Sequence, residues 1–406
     1  MRVAIVGSGI AGLAAAHALA GAHDVTLYEA AAQPGGHVYT VAHDGHAIDM
    51  GFIVHNRERY PRFCALLDEL GLRTRRTTMA FSVVHGGVEW SSEAPFAERR
   101  RLAEPRHWRF VAAVVRFLQL ARRDLGSALV AATTLDEYLA ARRISHELRD
   151  RFVVPLAAAL WSLAPARCGA FPAATYLGFL DHHGMLSALR PRQWRTIVGG
   201  SRRYVDALLA RLAARGNFAL RLATPVATIA RDRTGVTLVA GAERRYDRVI
   251  VATHADTALA LLAAPTGDER RVLGAFRYSR NRTVLHTDRS FLPRAPAAHA
   301  AWNYVADADA ARVAMTYSMT RLQGLPDAPY LVTLNPRREP AGVLHEAAFD
   351  HPQLDRAALA AQAELPRLCA ARCYFAGAHF GYGFHEDAMR SGLAAAARAL
   401  ADEAHA

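Results

Sequence analysis

Four short segments hold residue types from which chemistry could be built. Gly7-Ser8-Gly9-Ile10-Ala11-Gly12 spaces three glycines as a phosphate-binding turn needs them. Gly7 permits a tight bend, Gly9 lets the backbone approach a pyrophosphate, and Gly12 lets a helix pack closely on a strand. Glu29 follows about 20 residues later, where a carboxylate takes a ribose 2′-hydroxyl and disfavours a 2′-phosphate. Next come Gln33-Pro34-Gly35-Gly36-His37 and Asp49-Met50-Gly51-Phe52, glycines that let the chain pass close to the far part of a longer dinucleotide. The fourth segment, Gly381 to Ala388, places His385, Glu386 and Asp387 at the start of an alanine-rich run. Acids there suit a helix N-cap, and the helix end offers unpaired N–H groups to an anionic ligand.

The elements that must hold these segments are legible nearby. Val3–Val6 is a β-branched run that reads as a strand, and Leu13–Leu19 reads as a helix. Val25–Tyr28 is a second strand, ending at Glu29, and the combination of strand, turn, helix and acid is far more specific than the glycines alone. Tyr246–Thr253 reads as one buried strand, Cys373–Ala378 as another, and about Asp387–Leu400 as the closing helix. The first 22 residues are apolar but carry no basic stretch beyond Arg2, so they read as folded structure rather than a signal sequence.

Taken together, these segments resemble the superfamily of FAD-dependent amine oxidases, phytoene desaturases and protoporphyrinogen oxidases. The resemblance implies a Rossmann-like α/β FAD-binding domain of the GR2 type, with a discontinuous α+β substrate-binding domain. The former would comprise residues 1–80, 195–265 and 366–406, and the latter 81–194 and 266–365. FAD would be held without a covalent bond, no cysteine lying beside the turn at 381–388. By this resemblance the cofactor contacts are Gly7, Gly9, Ile10, Ala11, Gly12, Glu29, Ala30, Gly35, Gly36, His37, Gly51, Phe52 and Ile53. Farther along the chain they are Val226, whose segment to Ala230 would contact the adenine through its backbone, Ala252, Gly377, Ala378, Phe384, His385, Glu386, Asp387 and Ala388. One departure is Ala378, where the superfamily commonly carries an acid. His385 takes the place of an aromatic-cage residue, and with His55 and Tyr382 it forms the catalytic set; Asn56, His182 and His183 are secondary candidates.

The motifs at 171–208 (FPAATYLGFLDHHGMLSALRPRQWRTIVGGSRRYVDAL), 331–336 (LVTLNP) and 381–392 (GYGFHEDAMRSG) narrow this further. They are similar to a bacterial subgroup associated with unsaturated fatty-acid modification, including the desaturase of furan fatty-acid biosynthesis. That likeness implies desaturation or double-bond rearrangement of an unsaturated fatty-acyl chain, within a phospholipid, with hydride passing to flavin N5. The alternative is an amine oxidase or a carotenoid- or porphyrinogen-type dehydrogenase. Many flavin amine oxidases use a lysine near N5, and this chain has no lysine at all.

The remaining residues bound the class. A chain of 406 residues can bury a sizeable core, and its net charge of +12 comes entirely from arginine. No nucleic-acid motif accompanies that charge, so nucleic acid is not an expected partner. Four cysteines without Cys-x-x-Cys spacing, and a His385-Glu386 pair lacking a second histidine, give no metal motif. Trp161, Phe171, Tyr176, Phe179, Trp194, Tyr317 and Met319 are candidates to line an apolar substrate cavity. Residues 99–123 interleave arginines with Trp108, Phe110, Val114, Val115, Phe117, Leu118 and Leu120, a pattern that suits peripheral contact with an anionic membrane. A cytoplasmic location, with possible membrane association, is the expectation.

Overall fold

Five parallel strands carry the amino-terminal glycine loop. In sheet order they are Cys373–Phe375, Arg248–Val251, Arg2–Val6, Asp24–Tyr28 and Phe218–Arg221. The computed structural model describes residues 1–161, 164–186, 192–306, 314–325 and 329–402, so residues 187–191 of the long subgroup motif lie outside the described residues. Val3, Ala4 and Ile5 of the central strand are wholly buried, as expected of a parallel strand covered on both faces.

The turn after that strand depends on two glycines. Gly7 sits at φ +101°, and a Cβ on Gly12 would stand 1.9 Å from the Gly7 carbonyl oxygen. Only glycines allow the helix Ile10–Leu19 to start this close to the strand. The carboxyl-terminal helix, His385–Ala401, packs against it so tightly that a Cβ on Gly392 would come within 2.0 Å of the Ala11 carbonyl oxygen. Both helices begin earlier than their alanine runs suggest, because Ile10 and His385 already adopt helical geometry.

Residues 246–253 depart from the single strand expected. Ala242–Tyr246 belongs to an antiparallel three-stranded sheet with Thr228–Arg231 and Val236–Ala240, whereas Arg248–Val251 is an inner strand of the parallel sheet. The chain changes sheets at Asp247, whose carboxylate accepts a 2.6 Å hydrogen bond from the Arg2 N–H.

A seven-stranded sheet stands over this unit. Its order is Val343–Gln353, Arg277–His286, Leu331–Leu334, Met315–Ser318, Trp302–Val305, Phe81–His85 and Val88–Ser91, antiparallel except where Phe81–His85 meets Trp302–Val305. Helix Val154–Trp161 packs against its Val343–Gln353 strand, Pro105–Asp124 meets it through Phe110 against Trp90, and Ala173–His182 packs on Pro105–Asp124. One apolar cluster runs from Val3 and Ile5 beneath the glycine loop to Trp90, Phe117 and Trp161.

Asp49 pins the two units together. Its buried carboxylate accepts from Thr40 Oγ1 (2.5 Å), Ser201 N–H (2.9 Å) and Oγ (2.8 Å), and Gln323 Nε2 (3.1 Å), while its own N–H donates to Gln323 Oε1 at 2.9 Å. Burial raises its pKa to about 6 despite those donors. All four cysteines are buried and unpaired, and no described helix is long and apolar enough to cross a membrane.

Candidate functional site

Where the two units meet they enclose a cavity of about 1020 Å³. Its floor is the first glycine loop, with Gly7, Ser8, Gly9, Ile10 and Ala11 all in the wall. Glu29 stands beside them and accepts from the Ser8 N–H at 2.9 Å and the Ser8 hydroxyl at 2.6 Å. The second glycine segment folds onto the first: the Gly35 N–H donates to Ser8 Oγ at 3.1 Å, and a Cβ on Gly36 would lie 3.1 Å from the Gly9 Cα. Two loops 27 residues apart in sequence thus form one continuous cradle. Gly51, Phe52, Ile53, Ala252, Gly377, Ala378, Phe384 and Ala388 extend the wall toward the carboxyl-terminal helix, whose amino end opens on the same space.

His385 occupies that helix end. Its Nε2 shares a 2.8 Å hydrogen bond with the Tyr204 hydroxyl, and its ring stacks on Phe52 with centroids 3.7 Å apart and planes 10° from parallel. Phe63 meets it edge-on at 4.9 Å. Burial, and then the neighbouring His37 and His55, hold its pKa well below the usual histidine value, so it stays neutral at physiological pH. Burial also raises Tyr204 far above the ordinary phenol value, so Tyr204 keeps its proton. Tyr382 also lines the cavity, 5.9 Å from Phe179 between ring centroids.

Several expected residues stand elsewhere. His55 is 1 % exposed and off the cavity wall; it pairs through its backbone with Arg195 and lies behind Phe63. His55, expected in the catalytic set, thus stands in the layer behind His385 rather than on the wall. Burial, with Arg195 and Arg57, lowers its pKa to about 4.

Glu386 turns out of the cavity, accepting from the Arg62 and Phe63 N–H groups at 3.1 and 3.0 Å. It caps the amino end of a different helix, Pro61–Glu69, rather than its own. Asp387 accepts from the Phe384 N–H at 3.2 Å and also lies outside the wall. Gly12 is packed beneath the loop, and Ala30 and Val226 border no part of the cavity. Asn56 and His182 are likewise off the wall, whereas His183 is on it.

Sequence reasoning singled out His37 but missed the aromatic polar side chains grouped with it. His37 packs against His351 (5.8 Å) and His254 (6.0 Å), and His254 stacks on Tyr278 at 4.3 Å. All four line the cavity. The buried Nε2 of His37 has no hydrogen-bond partner within the protein, a vacancy that a polar ligand would satisfy. Burial and the two neighbouring imidazoles lower the His37 pKa to about 3, so it too is neutral. The Gly-Gly-His string was a signal for His37, but nothing local marked His254 or His351.

The family model for flavin containing amine oxidoreductases matches residues 10–320. The chain belongs to this family. No curated protein matches the sequence. Among solved structures it is similar to cyclohexylamine oxidase from Brevibacterium oxydans IH-35A at 18 % identity and TM-score 0.72, covering 100 % of this chain and 99 % of that one. It is also similar to a putative protoporphyrinogen oxidase from Exiguobacterium sp. 255-15 (17 %, TM-score 0.71, covering 100 % and 99 %). A third is the CLA-producing fatty acid isomerase from P. acnes (17 %, TM-score 0.70, covering 98 % of each chain). At such identities the likeness establishes the fold.

This flavin oxidoreductase is a FAD-dependent enzyme, and its cradle fits that cofactor. Glycines leave the loop backbone bare, Glu29 stands at the ribose end, two helix amino ends open on one cavity, and His37 Nε2 awaits a partner. Gly7, Ser8, Gly9, Glu29 and Gly35 would hold the adenosine and phosphates, and the segments around Gly51, Phe52, Gly377 and Phe384 the flavin end. For His385→Ala the expected result is retained FAD with turnover reduced about 10- to 100-fold, read by flavin absorbance and by product formation. Unchanged turnover would remove His385 from the catalytic set.

Proposed function

We propose that the oxidoreductase withdraws hydrogen from an unsaturated fatty-acyl chain, carried on a phospholipid, and either leaves a new double bond or moves an existing one. The carrying observation is the composition of the cavity beyond the flavin end. Trp90, Phe110, Val114, Leu118, Phe152, Leu156 and Trp161 form a continuous apolar arm opening from the same space as the cofactor cradle. Of the aromatic residues expected to line it, Trp161, Phe179, Trp194 and Tyr317 do so. Phe171 and Tyr176 instead back Trp161, and Met319 belongs to a separate small core.

Charge placement supports the same reading. The acids on the cavity wall among the described residues are Glu29, Glu93 and Asp350. Glu29 is engaged by Ser8, Glu93 by Thr78 and Arg321, and Asp350 lies 3.9 Å from Arg280. None stands in the apolar arm to pair with an ammonium ion, and the chain has no lysine to serve near the flavin.

FAD, when bound, supplies the acceptor for a hydride. The arm aligns a methylene chain by shape and excludes water from the reacting carbon. Neutral His385, oriented by the Tyr204 hydrogen bond and the Phe52 stack, presents an uncharged ring at the cavity wall and positions the reacting carbon there.

Purified holoenzyme incubated anaerobically with unsaturated phospholipid should yield an altered acyl chain. Product formed without any acceptor identifies rearrangement, and product formed only with an acceptor identifies desaturation. Flavin bleaching by amines, with acyl chains left unchanged, would overturn the proposal.

A further inference from the structure

Among the described residues the exposed large apolar side chains are Leu102 (54 %), Trp108 (52 %), Val115 (43 %) and Val343 (43 %). Three of these four fall between residues 102 and 115. A short turn, Arg99–Ala103, precedes the helix Pro105–Asp124, so the basic stretch 99–123 is a turn followed by a helix. On that helix Trp108, Ala112 and Val115 follow one another at spacings of four and three, which puts them in one outward stripe. Arg109, Arg116 and Arg123 recur every seven residues and form the adjoining stripe; all three are exposed and have no acidic partner among the described residues. Arg106, by contrast, is paired with Glu147 at 3.2 Å.

The inner side of the same helix belongs to the cavity. Val111, Val114 and Leu118 line the apolar arm, and Val115 both lines it and is exposed. The arm therefore reaches the surface beside the apolar stripe and its arginines.

We propose that this face docks on an anionic lipid bilayer. Leu102, Trp108 and Val115 enter the boundary between headgroups and acyl chains, and Arg109, Arg116 and Arg123 lie against lipid phosphates. An acyl chain then passes from bilayer to arm without crossing water. The transfer rests on the acyl-chain reading given above, whereas the docking does not. An acidic carrier protein would also meet the arginines, but it gives no reason for an exposed tryptophan and leucine beside them.

The test is sedimentation of the holoenzyme with vesicles of phosphatidylcholine alone, or of phosphatidylcholine with about 30 mol % phosphatidylglycerol. Binding should require the anionic lipid and weaken at high salt. Arg109→Glu/Arg116→Glu should lower it at least about tenfold, since each basic residue near such a surface contributes several-fold. Trp108 packs on Phe96 and its indole N–H donates to the Leu102 carbonyl at 3.0 Å, so Trp108→Ala could disturb the turn. Leu102→Ser is therefore the apolar variant, with FAD absorbance confirming the fold. Sedimentation indifferent to anionic lipid, unaltered binding by either variant, or binding to an acidic acyl-carrier protein without vesicle binding would each overturn the proposal. Turnover is not read, so a failure of docking and a failure of the acyl-chain reading are separately visible.

Discussion

Gly9→Asp should yield a folded protein without colour. Gly9 caps the first helix at φ −62° and ψ 174°, a conformation open to any residue. A Cβ there would meet nothing within 4 Å, because the position faces the open cavity. The new carboxylate would itself suit a helix N-cap, so stability should hold. It would nonetheless occupy and repel the place where the loop receives phosphate, and one like-charge contact at reduced dielectric is worth a few kcal/mol. FAD affinity should fall at least about 100-fold, measured by titration and by absorbance of the purified protein, with circular dichroism as the fold control. A yellow variant of wild-type affinity would refute the assignment of this loop to the cofactor. Gly12→Val provides the contrast: its side chain would collide with the Gly7 carbonyl, so the expected outcome is an unfolded chain.

Acid should destabilise the apoprotein steeply below about pH 6.5. His55, His183, His286 and His379 are each at most 4 % exposed. Burial is the leading cause that lowers their pKa values to about 4, 3, 4 and 3. The unfolded chain takes up protons on these groups as pH falls through about 6.5, whereas the folded chain refuses them until pH 4 or below. Stability is therefore complete above the unfolded value and is lost between them. At pH 5 each group contributes a loss of about 2 kcal/mol, roughly 8 kcal/mol together, against a typical folding free energy of about 5 to 15 kcal/mol.

Asp49 acts in the opposite sense. Its folded pKa of about 6 lies above the unfolded value of 3.8, so it gains stability as pH falls, but by only about 1 kcal/mol at pH 5. With an unfolding entropy of about 2 cal/mol/K per residue, a net loss of about 7 kcal/mol should lower the thermal midpoint by roughly 8 °C between pH 7 and pH 5. A midpoint unchanged over that range would mean that these imidazoles can charge where they stand.

What could be read from the sequence follows the distance over which each feature is built. The Gly7 loop and Glu29 were legible because strand, turn and acid lie within one local unit. Tyr246–Thr253 misled because Tyr246 and the apolar run Val249–Val251, a few residues apart, belong to different sheets joined at Asp247. Glu386 looked like a cap for its own helix; its partners, Arg62 and Phe63, come from the other end of the chain. His254 and His351 had no local signature, since only the meeting of two sheets places them beside His37. The aromatic residues of the substrate segments were chosen by type, and type does not distinguish Trp161 on the cavity wall from Tyr176 directly behind it.

The parallel sheet has a consequence for how the enzyme is made. Its central strand, Arg2–Val6, is synthesised long before one neighbour arrives with Arg248–Val251 and before the outer strand beyond that arrives with Cys373–Phe375. At about 5 to 20 residues per second a ribosome needs tens of seconds to bridge that interval, and meanwhile the glycine loop has no completed sheet on which to sit. The nascent chain must wait with an apolar strand exposed, so yield in the cell should depend on chaperones and on the speed of translation as much as on the stability of the finished fold.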